Sequence, residues 1–217
     1  MECPFEPRLL GVFVLTGLAL NVTPGPDMLF VLACGANRGR AGGLRAALGI
    51  SAGSCIHTVA AVAGLSAVLA SSSVAFAATK LAGAAYLVWL GLRSFLSRER
   101  SGKGQRNLAP IARTVGQDRV FERAMMTNVL NPKVALFFLA LVPQFVSPER
   151  GHVALQFLLL GCVFNTTGTL VNAVVGIFAG EIARKLADSP RWKRMIDGAT
   201  AAIFIGLGLR LALGERR

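Results

Sequence analysis

Two short proline-containing stretches interrupt apolar segments of this chain. The first is Asn21-Val22-Thr23-Pro24-Gly25-Pro26-Asp27 in the segment 9–33, and the second is Asn128-Val129-Leu130-Asn131-Pro132-Lys133 in the segment 124–146. Because proline lacks a backbone N–H and its ring clashes with the preceding helical turn, neither segment can be one continuous helix. Each stretch ends in an ionisable residue, which is costly inside an apolar segment. The sequence therefore predicts two broken helices with a charge at each break.

The composition of the chain is that of a membrane protein. Of its 217 residues, 53% are hydrophobic and only 16% are charged. Runs of about 18 or more apolar residues with few charges predict membrane helices. Six such runs lie at 9–34, 45–70, 74–96, 123–147, 153–180 and 195–213. They predict an all-α integral membrane protein of six transmembrane helices, which leaves little chain for a soluble domain.

The chain divides into two similar halves. Residues 97–122 are basic and contain Gly and Pro, so they read as a loop between a three-helix repeat at 1–96 and another at 123–217. Gly49 and Gly64 of the second helix match Gly161 and Gly176 of the fifth at one offset. Three helices per half force opposite orientations in the bilayer. The predicted fold is two inverted repeats, each with a broken first helix, as in many secondary transporters.

The net charge of +12 has an uneven distribution. Most lysines and arginines lie in the loops between helices one and two, three and four, and five and six. The positive-inside rule places these loops in the cytoplasm and both termini in the periplasm. The basic charge is therefore interpreted as a topology signal, and no binding of nucleic acid is expected.

The first break has the chemistry of an anion-binding helix start. Thr23 is expected to cap a half-helix whose first residue is Pro24, while Gly25 permits close backbone approach and Pro26 removes a further donor. Exposed N–H groups at such a start attract a carboxylate. Asp27 falls in the first turn, where it could meet a substrate ammonium group or carry a coupling proton. Alternatively, it serves the structure alone.

The second break repeats this logic. Asn131 is expected to cap a half-helix that begins at Pro132, and Lys133 follows. Because a lysine at a helix N-terminus opposes the helix dipole, it needs a negative partner. Asp27 and a substrate carboxylate are the two candidates, and extension of Lys133 to the membrane interface is the structural alternative.

Other polar residues lie inside the predicted spans. Asn165, Thr169 and Asn172 recur at helical spacing in the fifth span, so they share one face and could line a polar pathway. Asn21 and Asn128 precede the two breaks, where they could satisfy backbone groups that the breaks set free. All five side chains are therefore candidates for the interior of a helix bundle.

His57 and the cysteines leave alternatives open. His57 lies among apolar neighbours and is either a packing residue or a proton relay on the pathway. The cysteines are widely spaced, at Cys3, Cys34, Cys55 and Cys162. A thiol redox carrier would need cysteines close in space, and a metal-ion exporter would need clustered ligands. Neither pattern stands out. No nucleophile–base constellation of an enzyme is recognised, and no cofactor is expected.

Several motifs resemble those of a known family. They are Thr23-Pro24-Gly25-Pro26-Asp27, Gly42-Gly43-Leu44 before the helix with His57, the segment Lys80–Gly91, Asn131-Pro132-Lys133, and Pro143-Gln144-Phe145. In order and spacing the chain resembles the LysE/RhtB family of amino-acid exporters, in particular its homoserine/threonine-exporter branch. The resemblance implies efflux of amino acids or similar small metabolites across the bacterial inner membrane, driven by the proton gradient or the membrane potential. The substrate and the oligomeric state, a homo-oligomer included, stay open.

Overall fold

The computed structural model describes residues 7–65 and 119–188, together with single helical positions at 81, 85, 88, 89, 92, 198, 202, 205 and 206. Within these residues the chain is helical and has no strand. The predicted loop 97–122 lies almost wholly outside the described residues. The predicted third and sixth spans, at 74–96 and 195–213, are described only at those single positions.

Six α-helices are described. They are α1 (Pro7–Val22), α2 (Pro26–Ala60), α3 (Val120–Val129), α4 (Pro132–Leu136), α5 (Val153–Ile177) and α6 (Ala179–Asp188). A π-helical turn at Ala61–Leu65 continues α2. A π-helical turn at Phe137–Leu141 and a 3-10 turn at Val142–Phe145 continue α4, and a further 3-10 turn lies at Pro148–Arg150.

Both predicted helix breaks are confirmed. Helix α1 ends at Val22 and α2 begins at Pro26, while α3 ends at Val129 and α4 begins at Pro132. The helical segments on either side of the second break are bent by 45° relative to each other. In both cases proline stands at the first helical position, where its missing N–H costs nothing because that group has no partner within the helix.

Helix α2 reverses direction at Gly39. The backbone of Gly39 has φ 69° and ψ −171°, a conformation that is essentially restricted to glycine. Asn128 contacts Asp27, and a Cβ atom at Gly53 would lie 2.7 Å from the Cβ of Asn128. In a straight helix Asp27 and Gly53 would be about 39 Å apart. Residues 26–38 and 40–60 are therefore two arms that fold back on each other, as separate first and second spans require.

Two described helical segments are long and apolar enough to cross a membrane. They are Pro26–Gly64, which includes the reversal at Gly39, and Val153–Ile177. The bent pair on either side of the second break would make a third if it forms one span. Length and composition thus agree with a membrane protein.

The described helices enclose two apolar clusters. The larger cluster joins α1, α5 and the segment after α4, and its aromatic rings stack closely, with the Phe137 and Phe164 centroids 4.1 Å apart. The smaller cluster joins both arms of α2 to α3 and includes Phe30, Ala46 and Val120. The two clusters flank the helix breaks and hold them in place.

Glycines bring the helix backbones close together. A Cβ atom at Gly43 would lie 2.5 Å from the carbonyl oxygen of Gly176, and one at Gly53 would lie 2.7 Å from that of Met125. Such contacts leave no room for a side chain, as in membrane helix interfaces. Gly176 thus lies at a close helix contact, whereas a Cβ at Gly180 would meet nothing within 4 Å.

Gln156 fixes the turn before α5. Its side chain is fully buried, accepts a hydrogen bond from the Ser147 N–H at 2.9 Å, and donates to the carbonyls of Ser147 and Gly151 at 2.9 and 2.7 Å. One amide group therefore bonds three backbone groups of the turn, in addition to the backbone hydrogen bonds that the turn makes itself.

Candidate functional site

The two helix breaks meet at one polar pocket. Asp27 comes from the first turn of α2, and Lys133 comes from the first turn of α4. The cavity is small, about 20 Å³, and partly open. The pocket is lined by Asn21, Asp27, Met28, Ile50, Ser51, Ser54, Asn128, Lys133, Val134, Phe164, Asn165, Gly168, Thr169 and Asn172.

Asp27 has one partnered and one unpartnered carboxylate oxygen. Oδ2 accepts a hydrogen bond of 2.8 Å from Nδ2 of Asn128, a residue in the last turn of α3. Among the described residues, the buried Oδ1 has no hydrogen-bond partner. The predicted position of Asp27 in the first turn of a half-helix is confirmed, and the helix dipole favours its negative charge there.

Lys133 holds the end of α1 instead of pairing with Asp27. Its Nζ donates to the carbonyl oxygens of Leu20 at 3.1 Å and Thr23 at 3.0 Å. Helix α1 stops at the break, so the Thr23 carbonyl lies beyond its last turn, whereas the Leu20 carbonyl also accepts from the Thr23 N–H at 3.2 Å. The negative partner that the sequence requires for Lys133 is therefore the C-terminal end of the α1 dipole. Extension of the side chain to the membrane interface is not what the structure shows.

The caps of the two half-helices differ. Asn131 is a side-chain cap, as predicted, and its Oδ1 accepts from the Lys133 N–H at 3.0 Å. The expectation for Thr23 and Pro24 is wrong, because α2 begins two residues later, at Pro26, with Gly25 at the cap. The hydroxyl of Thr23 instead donates to the Ala19 carbonyl at 2.8 Å, one helical turn back.

Gly25 makes room for the lysine. A Cβ atom there would lie 3.1 Å from Nζ of Lys133 and 3.4 Å from its Cε. The predicted close approach at Gly25 is thus an approach of the Lys133 side chain to the first break. Gly25, Thr23, Pro24, Pro26, Asn131 and Pro132 shape the two helix starts, but none of them lines the pocket itself.

The two asparagines before the breaks bind the opposite part of the chain. Nδ2 of Asn21 donates to Oγ1 of Thr167 at 3.1 Å and to the Phe164 carbonyl at 3.3 Å in α5. Asn128 donates to Asp27 as described. The expectation that they satisfy the backbone groups of their own breaks is therefore wrong.

The polar face predicted on α5 does line the pocket. Asn165, Thr169 and Asn172 all contribute to its wall. Oδ1 of Asn165 accepts from the Ser51 hydroxyl at 3.1 Å, and the Thr169 hydroxyl donates to the Asn165 carbonyl at 2.7 Å. Oδ1 of Asn172 is buried without a partner. The predicted grouping of these residues is thus confirmed, and their role on a pathway stays a prediction.

His57 lies beside the site and outside its lining. Its Nε2 is 3.1 Å from the backbone oxygen of Asn128, and its ring stacks on Phe138 with centroids 5.9 Å apart at 14°. The ring therefore packs against the end of α3, which agrees with the packing alternative. Its position does not bring it into contact with the pocket space.

The sequence analysis missed the contribution of the second arm of α2. Ser51 and Ser54 line the pocket one helical turn apart, together with Ile50. Ser54 Oγ is buried without a hydrogen-bond partner. Their spacing on one helical face was the available signal, but serine is common in apolar helices.

Cysteines and metal ligands do not gather in the described part of the chain. Cys34 is buried and free, and Cys55 and Cys162 are exposed and free. Sγ of Cys55 accepts from Nδ2 of Asn165 at 3.1 Å. Residues 7–65 and 119–188 contain no group of three or more His, Cys, Asp or Glu side chains that could hold a metal ion.

Known proteins resemble this chain over nearly its whole length. The model of the LysE type translocator family matches residues 18–215. A homoserine/homoserine lactone efflux protein of Salmonella typhimurium is 32% identical over 203 residues, which cover 92% of this chain and 94% of that protein. An uncharacterised membrane protein of Pseudomonas aeruginosa is 34% identical over 92% of this chain and 93% of its own.

A more distant relative carries a different substrate in its name. A leucine efflux protein of an Enterobacter species is 27% identical over 204 residues, which cover 92% of this chain and 93% of that protein. No solved structure matches. The family match includes both helix breaks and every residue of the pocket, which confirms the resemblance that the motifs indicated. The chain belongs to the LysE type translocator family of membrane proteins.

Proposed function

We propose that this protein exports amino acids or similar small zwitterionic metabolites across the bacterial inner membrane by secondary active transport. The observation that carries the proposal is the meeting of both helix breaks at one pocket, with Asp27 and Lys133 in its wall. Relatives named for homoserine and leucine efflux support the substrate class. Broken helices that meet in this way form substrate sites in other transporters.

The pocket offers partners to both charges of a zwitterion. Asp27 has a free carboxylate oxygen for an ammonium group. Of the three N–H groups of Lys133, two hold the end of α1 and the third can meet a carboxylate. The free backbone N–H groups at the start of α2, within Gly25–Met28, favour an anion as well. Compensation of both charges lowers the desolvation cost of crossing the bilayer.

Cross-contacts between the two parts of the chain support an inverted repeat. Asn21 and Asn128 occupy equivalent positions before the breaks. A Cβ atom at Gly168 would lie 3.0 Å from Oδ1 of Asn21, and one at Gly53 would lie 2.9 Å from Oδ1 of Asn128. In each case the residue before one break contacts a glycine in the other part of the chain. We infer repeats at 1–96 and 123–217, six transmembrane helices in total, and a basic cytoplasmic loop at 97–122.

The proposed topology places both termini in the periplasm. It rests on the distribution of lysine and arginine among the loops. An impermeant thiol reagent should not label a cysteine at position 104 in intact cells, on a cysteine-free background, but should label it in inside-out vesicles. Labelling of position 104 in intact cells would contradict this topology.

Proton coupling is the proposed energy source. Inside-out vesicles should accumulate labelled homoserine or leucine when a proton gradient is imposed, and an uncoupler should abolish the accumulation. Asp27→Asn should abolish it as well, since the charge is lost and the shape is kept. Asn37→Ala, at an exposed position whose side chain donates to the Ala33 carbonyl at 2.7 Å, is the matched control. Failure of every amino acid in a full labelled panel would refute the export of amino acids.

A further inference from the structure

Within the described residues, four side chains that line the pocket each have a buried oxygen atom without a hydrogen-bond partner. These atoms are Oδ1 of Asp27, Oγ of Ser54, Oδ1 of Asn128 and Oδ1 of Asn172. Each side chain is at most 7% exposed, and all four line the same pocket. Buried polar atoms are nearly always hydrogen-bonded, so an unpartnered group calls for an explanation. Four of them around one cavity point to a hydrogen-bond donor that enters it.

The chemistry of these atoms specifies the ligand. The carboxylate and amide oxygens only accept hydrogen bonds, and the serine hydroxyl can accept as well. The orientation of the Asn128 amide follows from its neighbour, because Nδ2 must face the Asp27 carboxylate and Oδ1 must face away. The group that fits must therefore donate several hydrogen bonds and carry a positive charge to balance Asp27. A primary ammonium group does both.

We propose that Asp27, Ser54, Asn128 and Asn172 bind the protonated amino group of the exported substrate, and that this group, not the carboxylate, is the required feature of the substrate. The proposal rests on the proposed function and names the substrate class of the same pocket. Homoserine lactone, which the name of the Salmonella typhimurium relative includes, is a primary amine without a free carboxylate.

The position of Lys133 explains why a carboxylate is dispensable. Nζ already has two carbonyl partners at the end of α1, so its charge is compensated without a substrate. By contrast, Oδ1 of Asp27 has no partner until a donor enters. An analogue without the amino group leaves the buried acceptors unpaired, so the site rejects it strongly. An analogue without the carboxylate leaves Lys133 with its existing partners, so the site rejects it much less.

Four small probes separate the two charges in a binding experiment. Homoserine has the amino group and the carboxylate, and homoserine lactone has only the amino group. 4-Hydroxybutyrate has only the carboxylate, and γ-butyrolactone has neither. Binding to the purified full chain in detergent would be followed by calorimetry. Homoserine and its lactone should bind with similar affinity, and both deaminated analogues should bind on the order of 100-fold more weakly or not at all.

Variants locate the effect in the pocket. Asp27→Asn and Asn172→Ala should remove the preference for the amines, whereas Asn37→Ala should keep it. Equal binding of homoserine and 4-hydroxybutyrate by the unaltered chain would overturn the proposal without any variant. It would also be overturned if no amine binds in a panel of the twenty protein amino acids, homoserine and its lactone.

A bound inorganic cation is the competing outcome, since sodium also takes oxygen ligands. In that case sodium chloride, but not choline chloride, would raise the unfolding temperature of the chain without substrate. This effect would vanish in Asp27→Asn, and the binding experiment would show no preference for amines. A transport assay in vesicles distinguishes failure of the ammonium site from failure of the proposed export function. Export of a substrate without an amino group refutes the ammonium site alone, and amine binding without movement of any amine refutes export alone.

Discussion

Replacement of Lys133 by methionine tests whether the lysine is a structural cap of α1. The change keeps the length of the side chain and removes the donor for the carbonyls of Leu20 and Thr23, at 3.1 and 3.0 Å. A buried carbonyl left without a partner costs about 1–3 kcal/mol. The Leu20 carbonyl keeps a hydrogen bond from the Thr23 N–H at 3.2 Å, so only the Thr23 carbonyl loses its donor. The expected loss is about 1–3 kcal/mol, less whatever is regained because a charged group is no longer buried. For a chain of this size, 1 kcal/mol corresponds to roughly 2–4 °C in unfolding temperature.

The assay is the unfolding temperature of the purified protein in detergent without substrate, read by size-exclusion chromatography after heating. Lys133→Met should unfold several degrees lower than the unaltered chain, and Lys133→Arg, which keeps donors, should lose less. Asp27→Asn should change the temperature little, because the amide oxygen of the new side chain can still accept from Nδ2 of Asn128 and its NH2 group takes the place of the unpartnered Oδ1. The capping argument is refuted if Lys133→Met unfolds at the temperature of the unaltered chain. Since the two charged groups share no hydrogen bond, Asp27→Asn combined with Lys133→Met should not restore export.

Three further changes give measurable outcomes in the same unfolding assay, with Gly64→Ala as a common control, since a Cβ there would meet nothing within 4 Å. Gly43→Ala should cost about 1–3 kcal/mol because the new Cβ would press on the backbone of Gly176, and an unchanged unfolding temperature would contradict the packing described. Gly39→Ala should cost about 1–3 kcal/mol through backbone strain alone, since its Cβ would have open space. Gln156→Leu should lower stability and make the turn at 147–151 a new site of limited proteolysis, and resistance of that turn to protease would speak against its role.

The sequence was sufficient to locate the helix breaks, because proline acts on its own helix and needs no partner. The cap at Asn131 and the polar face of α5 were predictable for the same reason, since both depend on residues within one or two helical turns. The partner of Lys133 was not predictable. Its Nζ contacts carbonyls more than a hundred positions away in the chain, and any backbone carbonyl can accept, so no residue type marks the contact.

The prediction for the start of α2 was wrong for a local reason. Thr23 can cap a helix or donate to its own preceding turn, and here the second option prevails because α1 continues to Val22. The pocket oxygens of Ser54 and Asn172 could not be found from spacing alone. Their significance lies in the absence of a partner, which depends on how α2 and α5 face each other.

The two breaks are completed by groups from opposite ends of the described chain, and this has a consequence for synthesis. Residues 7–65 leave the ribosome before 119–188, so the carbonyls of Leu20 and Thr23 lack the Lys133 ammonium group until that residue has been made and inserted. Oδ2 of Asp27 likewise waits for Asn128. The first half is therefore expected to enter the bilayer without these hydrogen bonds and to be a substrate for cellular proteases until the second half is present. If the gene were cut in the loop 97–122, the two fragments should be degraded when expressed singly and persist when expressed together.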